Sequence, residues 1–204
     1  MDKTIVITGG TGGIGEYTAI GLAREGARIV VTGRDAARGQ AAVERIREAS
    51  GNDDVHVELG DLSSAAGIQQ LADRLTERLD RIDVLINNAG LLAQERWVTE
   101  DGIEANFAVN VVAPYRLTHA LATLLRAAAS ARVLVLTGGQ AASKLLIDDL
   151  QAEKSFVPLT SYSNTKRAAE AMALVLANEL GEHGIGVHVV YPGRASTAMT
   201  QAMT

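Results

Sequence analysis

The chain has 204 residues and a formal net charge of −5, with 47% hydrophobic residues, 3% aromatic residues, 20 glycines and no cysteine. This length and aliphatic composition favour one α/β domain and argue against a β-sandwich or a disordered chain. Dispersed Lys and Arg residues under a net negative charge argue against nucleic acid or an anionic membrane as the main partner. The absence of cysteine excludes disulfides and thiolate chemistry.

The sequence predicts neither a membrane span nor a metal site. It enters a predicted strand directly at its N-terminus, and no apolar run reaches the ~18 residues that a span requires. The four histidines stand at no metal-ligand spacing. We therefore expect a soluble, cytoplasmic protein without a metal.

A glycine-rich turn follows the first predicted strand, residues 5–7, and precedes an amphipathic helix, residues 16–25. The turn spans residues 8–15 and has the sequence TGGTGGIG. Two glycine spacings overlap in it: G-x-G-x-x-G at Gly10, Gly12 and Gly15, and G-x-x-x-G-x-G at Gly9, Gly13 and Gly15. In either register the missing side chains let the backbone approach a pyrophosphate, which the helix N-terminus stabilises. The order of strand, turn and helix predicts a nucleotide site; the alternative is a simple connecting turn.

The second predicted strand, residues 28–32, ends where a doubly wound domain binds the adenosine ribose. A carboxylate at this place binds the ribose hydroxyls, whereas an arginine accepts a 2′-phosphate. Arg34 follows the strand, and Arg38 lies one helical turn further on. We therefore expect NADP as the cofactor, with NAD less favoured. The alternative is a solvated Arg34 beside Asp35 as a helix N-cap.

Two further strand and helix units follow. Helices are predicted at residues 35–50 and 63–79, and strands at residues 55–59 and 82–86. Asp61 follows the third strand and is a candidate acceptor for an adenine amine; capping the next helix is the alternative. The fourth strand runs into the sequence NNAG, residues 87–90. Because ligands of an open α/β sheet bind at the carboxyl ends of its strands, these turns predict one binding edge.

A polar run, residues 161–166, opens a long apolar helix and places Tyr162 four residues before Lys166. On a helix this spacing puts both side chains on one face. A nearby ammonium lowers the pKa of a phenol, and such a tyrosine can exchange a proton with a carbonyl or alcohol oxygen. The alternative for an isolated pair is a half-buried Tyr beside a solvated Lys.

Taken together, these motifs resemble the short-chain dehydrogenase/reductase family. They occur in the family's order along the whole chain: TGGTGGIG, Asp61-Leu62, NNAG, Tyr162-x-x-x-Lys166, Pro192-Gly193 and Thr197. Residues 99–110 (TEDGIEANFAVN) and 149–154 (DLQAEK) are similar to the retinol-dehydrogenase-like branch. That branch often has a membrane anchor, which we do not expect here.

The resemblance implies a Rossmann-type, three-layer αβα fold, with a doubly wound parallel sheet in a single domain over residues 1–204. It also implies hydride transfer between NADP(H) and a carbonyl or secondary alcohol.

The resemblance also implies roles for individual residues. Tyr162 is the expected acid/base, and Lys166 is expected to lower its pKa and to bind the nicotinamide ribose. Asn110 is expected to hold a water of the proton relay; the alternative is a buried Asn bonded to a backbone carbonyl. Thr197 is expected to bind the nicotinamide carboxamide. The expected cofactor contacts are Gly9, Thr11, Gly12, Gly13, Ile14, Gly15, Arg34, Arg38, Asp61, Leu62, Asn88, Ala89, Gly90, Tyr162, Lys166, Pro192, Gly193 and Thr197.

One family position does not transfer directly. The family places a serine after the fifth strand to bind the substrate oxygen, and here residues 132–136 run into Thr137-Gly138-Gly139. Counting from Arg132 puts Gly138 at that position, whereas counting back from Tyr162 puts Thr137 there. We assign Thr137, with Ser143 as the second choice. If Gly138 is the equivalent, the substrate oxygen loses one hydrogen bond.

The family usually continues after Pro192-Gly193 into a substrate-covering lid, a helix and a last strand. We expect these to be missing from a sequence that ends at Thr204. A homo-oligomer is expected, since the helix predicted at residues 114–129 and the Tyr162 helix often form family dimers. The alternative function is an NADP-binding sensor or partner protein with little catalysis; an epimerase or dehydratase is a further alternative.

Overall fold

The computed structural model describes residues 2–138 and 144–193. Strands and helices alternate along most of this length. The strands are β1 (Thr4–Ile7), β2 (Arg28–Gly33), β3 (Val55–Leu59), β4 (Val84–Asn87), β5 (Arg132–Leu136) and β6 (Gly186–Val190). The α-helices are α1 (Gly13–Arg24), α2 (Ala36–Ser50), α3 (Ala65–Arg78), α4 (Ala105–Phe107), α5 (Ala113–Ala120), α6 (Ala122–Arg126) and α7 (Pro158–Gly181). A π-helical turn (Ala108–Val112) joins α4 to α5, and a 3₁₀ turn (Ile147–Asp149) precedes α7.

The strands form one parallel sheet in the order β3-β2-β1-β4-β5-β6. The chain reverses its direction of winding between β1 and β4, so the carboxyl ends of these two strands flank a crevice. Their register pairs Ile7 with Ile86 and brings Thr8 next to the end of β4. This arrangement confirms the predicted doubly wound, Rossmann-type fold.

Buried side chains fill both faces of the sheet. One core lies between the sheet and helices α3, α5 and α7, and includes Val6, Leu85, Leu117 and Leu176. The other lies against α1 and α2 and includes Ile5, Ile7, Ile29 and Ile46. Because successive strand residues point to opposite faces, both of which are covered, the central strands are continuous apolar runs. The result is the expected three-layer αβα structure.

The helical segment before β5 differs from the prediction of one helix at residues 114–129. It begins at Ala105, where the Glu104 carboxylate accepts hydrogen bonds from the backbone N–H groups of Asn106 (3.0 Å) and Phe107 (2.9 Å). Pro114 has no N–H to donate into the helix, and the backbone widens into a π-turn directly before it. A glutamate cap and a proline inside a helix are both weak signals in sequence, which explains the difference.

Among the described helices α7 is the longest, with 24 residues. It begins with Pro158 in its first turn, where the missing N–H has no cost. Its N-terminal half buries polar side chains, among them Asn164, Thr165 and Lys166. In the ranges that the structure describes, no helix is both long and apolar enough to cross a membrane.

Candidate active site

The glycine turn between β1 and α1 requires glycine at Gly9, Gly13 and Gly15, because of a left-handed backbone or a close approach. Gly9 and Gly13 have φ values of +64° and +55°, which are strained for other residues. A Cβ atom on Gly9 would lie 2.9 Å from the Cα of Ala89. A Cβ atom on Gly15 would lie 2.5 Å from Nδ2 of Asn88 and 2.7 Å from the carbonyl oxygen of Gly9. The G-x-x-x-G-x-G spacing therefore describes the geometry of this turn.

Gly10 and Gly12, which belong to the other spacing, differ from each other. A Cβ atom on Gly10 would lie 2.6 Å from Cγ1 of Val31, so this glycine is needed for packing. A Cβ atom on Gly12 would meet no atom within 4 Å. Gly12 is the N-cap residue of α1 and provides no side-chain cap. The start of this helix thus presents backbone N–H groups without side-chain cover, which is the arrangement that binds a pyrophosphate. These residues fit a dinucleotide.

Hydrogen bonds join the glycine turn to the loop after β4. The Thr8 hydroxyl accepts from the backbone N–H groups of Asn88 and Ala89, each at 3.0 Å. Nδ2 of Asn88 donates to the carbonyl oxygens of Thr8 (2.8 Å) and Gly9 (3.1 Å). The Asn88 amide therefore holds the turn in place, and any contact between Asn88 and a cofactor adds to this structural role.

Of the predicted phosphate-binding arginines, Arg34 directly follows β2 and Arg38 lies in the first turn of α2. A Cβ atom on Gly33 would lie 2.7 Å from Cγ2 of Thr11, so this strand end is next to the glycine turn. Arg34 and Arg38 are exposed, and the described residues give neither guanidinium a hydrogen-bond or ion-pair partner. Asp35 caps α2 by accepting from the backbone N–H of Arg38 at 2.8 Å. The N-cap alternative is therefore present, and it leaves both guanidinium groups available for a phosphate.

Asp61 and Leu62 follow β3. Oδ1 of the exposed Asp61 accepts from the backbone N–H of Ser63 at 2.9 Å and from its hydroxyl at 2.8 Å. The alternative that Asp61 caps the next helix is wrong, because Ser64 caps α3 by accepting from the N–H of Gly67. Leu62 is 9% exposed and packs in the core, which leaves its backbone for a cofactor contact.

Tyr162 and Lys166 lie together on α7, with Nζ of Lys166 5.7 Å from the centre of the Tyr162 ring. Nζ donates a hydrogen bond of 3.1 Å to the carbonyl oxygen of Leu136, the last residue of β5. Lys166 is only 5% exposed, and this burial lowers its pKa to about 8. The predicted pairing of the two residues on one face is therefore present, and the alternative of a solvated Lys166 is wrong.

The effect on Tyr162 is the reverse of the expected one. Burial raises the pKa of the Tyr162 phenol above its ordinary value. The pKa of Tyr162 is raised although Nζ of Lys166 lies 5.7 Å from the centre of its ring. In the protein alone, Tyr162 is thus a neutral phenol at physiological pH.

Asn110 lies in the π-turn and is 2% exposed. Its Oδ1 accepts from the N–H of Leu91 at 2.7 Å, and its Nδ2 donates to the Leu91 carbonyl oxygen and to Oγ1 of Thr165, both at 2.9 Å. This is the alternative geometry, in which the Asn binds backbone. Both amide hydrogens are used, so a water of the proton relay would need another group of this residue, such as its backbone carbonyl.

The serine position of the family lies at the end of β5. Thr137 is 5% exposed, and its backbone N–H donates to the carbonyl oxygen of Val190 at 2.9 Å. A Cβ atom on Gly138 would meet no atom of the described residues within 4 Å, its two chain neighbours aside. The second choice, Ser143, lies outside the described residues.

The other predicted contacts are divided between two regions. Ile14 is in the first turn of α1, and Ala89 and Gly90 follow β4 at the same sheet edge. Pro192 and Gly193 are exposed after β6. Thr197 lies outside the described residues.

Hydrogen bonds that hold this site together also involve three residues without a role predicted from the sequence: Thr8, Leu91 and Thr165. Thr8 lies inside the glycine motif, and Thr165 lies between Tyr162 and Lys166. This position within a motif is the one sequence signal that could have identified them as structural residues of the site. Leu91 acts through its backbone, so its side-chain type carries no signal.

The family model for short chain dehydrogenases matches residues 3–204. With the glycine turn, the NNAG loop and the Tyr162 and Lys166 pair in place, the chain belongs to the short-chain dehydrogenase family, a family of oxidoreductases. Within the family it is similar to human retinol dehydrogenase 13, with 34% identity over 199 residues. It is also similar to mouse retinol dehydrogenase 12, with 34% identity over 200 residues. These matches confirm the retinol-dehydrogenase-like resemblance.

The matches cover 97% of this chain and 60% of human retinol dehydrogenase 13, and 98% and 63% for the mouse protein. The chain therefore spans about three fifths of the length of these curated relatives.

Solved structures show the same fold. The Pseudomonas aeruginosa RhlG/NADP active-site complex has a TM-score of 0.79 and 30% identity, over 98% of this chain and 75% of that one. A short-chain dehydrogenase from Sphingobium yanoikuyae in complex with NADPH has a TM-score of 0.76 and 28% identity, over 98% and 74% of the two chains.

The lowered pKa of Lys166 makes the stability of the protein depend on pH. Between about pH 8, its pKa in the folded state, and its ordinary value near 10, the unfolded state binds more protons. This contribution to the free energy of unfolding therefore rises with pH across that window and is lost as the pH falls through about 8.

Lys166→Met should remove this pH-dependent contribution. Urea unfolding at about pH 7 and pH 9.5 should show wild type gaining stability relative to Lys166→Met at the higher pH. An unchanged difference would contradict the burial of the charge.

Proposed function

We propose that the protein transfers a hydride between NADP(H) and a carbonyl or secondary alcohol, with Tyr162 as the acid/base. The observation that carries the proposal is the buried pair on α7. Tyr162 and Lys166 share one face of this helix, and Lys166 reaches the carboxyl end of β5. Family membership and the NADP-bound structural neighbours support the choice of reaction and cofactor.

The chemistry follows from the protonation states. When bound, the nicotinamide supplies or accepts the hydride. Tyr162 holds a proton on its phenol oxygen, because burial raises its pKa. It can donate that proton to a carbonyl oxygen as negative charge develops there. With a pKa of about 8 the Lys166 amine is mostly protonated at neutral pH, and its positive charge beside the ring favours this transfer.

NADP rather than NAD is part of the proposal, and Arg34 carries it. Arg34 is exposed at the end of β2, which lies beside the glycine turn through the contact of Gly33 with Thr11. A guanidinium to which the described part of the chain gives no partner suits a 2′-phosphate there.

We also propose that the protein forms a homo-oligomer. Helix α7 exposes the apolar side chains of Leu174 (72%) and Val175 (49%), which a second copy could cover. The cytoplasmic location expected from the sequence stays a prediction.

One observation favours the alternative of an NADP-binding protein with little catalysis. If Gly138 occupies the serine position, the residue at that position carries no hydroxyl for a substrate oxygen. Binding of NADPH without turnover on a broad panel of carbonyls and alcohols would favour this alternative.

Tyr162→Phe should lower turnover by about 100-fold to 10,000-fold, because it removes only the phenol oxygen that carries the proton. The affinity for NADPH, measured by fluorescence titration, should stay near that of wild type. Tyr17→Phe is the matched control, since Tyr17 is 78% exposed and should have no effect on turnover. Turnover that survives in Tyr162→Phe would refute the mechanism.

Arg34→Ala should weaken NADPH binding about tenfold or more, because a charge-assisted hydrogen bond to phosphate is worth roughly 1.5–3 kcal/mol. The Kd for NADH, which lacks the 2′-phosphate, should change little. Arg126→Ala removes an exposed guanidinium on α6 and serves as the control. Equal losses for NADPH and NADH would show that Arg34 does not bind the 2′-phosphate.

Thr137→Val tests the substituted serine position. If the Thr137 hydroxyl binds the substrate oxygen, its loss should lower kcat by about 100-fold, as for an oxyanion donor, and Thr137→Ser should retain most activity. Gly138→Ser should then bring no gain. The reverse pattern, with Thr137→Val neutral and Gly138→Ser faster, would assign the position to Gly138.

A further inference from the structure

Thr165 stands between the two proposed functional residues of α7, three residues after Tyr162 and one before Lys166. It is 1% exposed. Its hydroxyl has two partners in the described residues: it accepts from Nδ2 of Asn110 at 2.9 Å and donates to the backbone carbonyl oxygen of Tyr162 at 2.7 Å. The directions are fixed, because an amide nitrogen can only donate and a hydroxyl has one proton to give.

Further hydrogen bonds connect Asn110 to the loop after β4. Asn110 holds both the N–H and the carbonyl oxygen of Leu91, directly after the loop whose Asn88 holds the glycine turn. These hydrogen bonds, together with the backbone from Asn88 to Leu91, thus connect the proposed dinucleotide site through the π-turn to the backbone of Tyr162. Because Asn110 and Thr165 are almost completely buried, water cannot replace a lost partner.

We propose that Thr165 is a positioning residue: its hydroxyl fixes the backbone of Tyr162 relative to Asn110 and the loop after β4. The inference rests on the proposed function, since it concerns how Tyr162 is aligned with the dinucleotide site. Thr165 acts through other residues, because its hydroxyl is used by the Asn110 amide and the Tyr162 carbonyl.

The presence of a threonine and not a valine at residue 165 supports a role for its hydroxyl. Valine has nearly the same shape as threonine and would pack in an apolar helix face without a polar atom. A threonine that bonds back to the preceding turn slightly weakens and bends a helix. Here that bond falls within the turn that joins Tyr162 to Lys166, where the orientation of both side chains is set.

The test compares Thr165→Val with Thr165→Ser. Thr165→Val keeps the shape and removes the hydroxyl, and should lower kcat about tenfold to 100-fold, as expected for a displaced reacting group. The Kd for NADPH should change much less. Thr165→Ser keeps the hydroxyl and should restore most of the turnover.

The control is Thr118→Val. Thr118 is 0% exposed, and its hydroxyl accepts from Nδ2 of Asn87 at 3.2 Å, so this variant also breaks a buried bond between an Asn and a Thr. It should lower stability without lowering kcat. Equal effects of Thr165→Val and Thr118→Val on kcat would reduce Thr165 to a structural role and overturn the proposal.

A second readout needs neither substrate nor cofactor. Ultraviolet titration of the phenolate, with Tyr162→Phe subtracted, reports the pKa of Tyr162. Since burial raises this pKa, a Tyr162 released by Thr165→Val should titrate closer to the ordinary value of about 10. An unchanged Tyr162 titration would overturn the proposal. If wild type binds NADPH but turns over no substrate, the proposed function fails while this titration still decides the role of Thr165.

If Thr165→Val does not fold, Thr165→Ser and Thr165→Ala give the same comparison with smaller side chains. Higher kcat and a higher Tyr162 pKa in Thr165→Ser than in Thr165→Ala would support the role of the hydroxyl. Equal values would refute it.

Discussion

The hydrogen bonds between the glycine turn and the loop after β4 are the constraint on which the site depends. Parallel pairing of β1 and β4 brings Thr8 beside Asn88, and each then satisfies polar groups of the other segment. The left-handed Gly9 fits only because it has no side chain against Ala89. One register of one strand pair therefore fixes two loops that are about 80 residues apart in sequence.

Buried polar residues extend this constraint to α7. Asn110 joins the loop after β4 to Thr165, and Asn164 bonds the N–H of Leu146 at 2.8 Å, in the segment before α7. Lys166 joins the helix to the end of β5. Such networks hold one geometry because each unpaired member would be a buried, unsatisfied group. The helix that carries Tyr162 is thus tied to β4, the π-turn and β5 at once.

Burial also decides the electrostatics of the site. A lysine near a tyrosine favours the phenolate only when its charge is kept and directed at the phenol. Here the environment that brings Lys166 close to Tyr162 also removes water from both, so it lowers one pKa and raises the other. A tyrosine in this environment keeps its phenol proton at physiological pH.

The sequence by itself determined the order of strands β1 to β5 and of helices α1 to α3, the glycine turn, and the pairing of Tyr162 with Lys166, because these depend on local periodicity and spacing. Tertiary structure alone decided that Asn110 binds Leu91 and Thr165, that Ser64 caps α3, and that the helix before β5 passes through a π-turn. It also decided the sign of the Tyr162 pKa shift. The physical reason is that hydrogen-bond partners and desolvation depend on which segments meet in space, and a local sequence pattern does not contain that information.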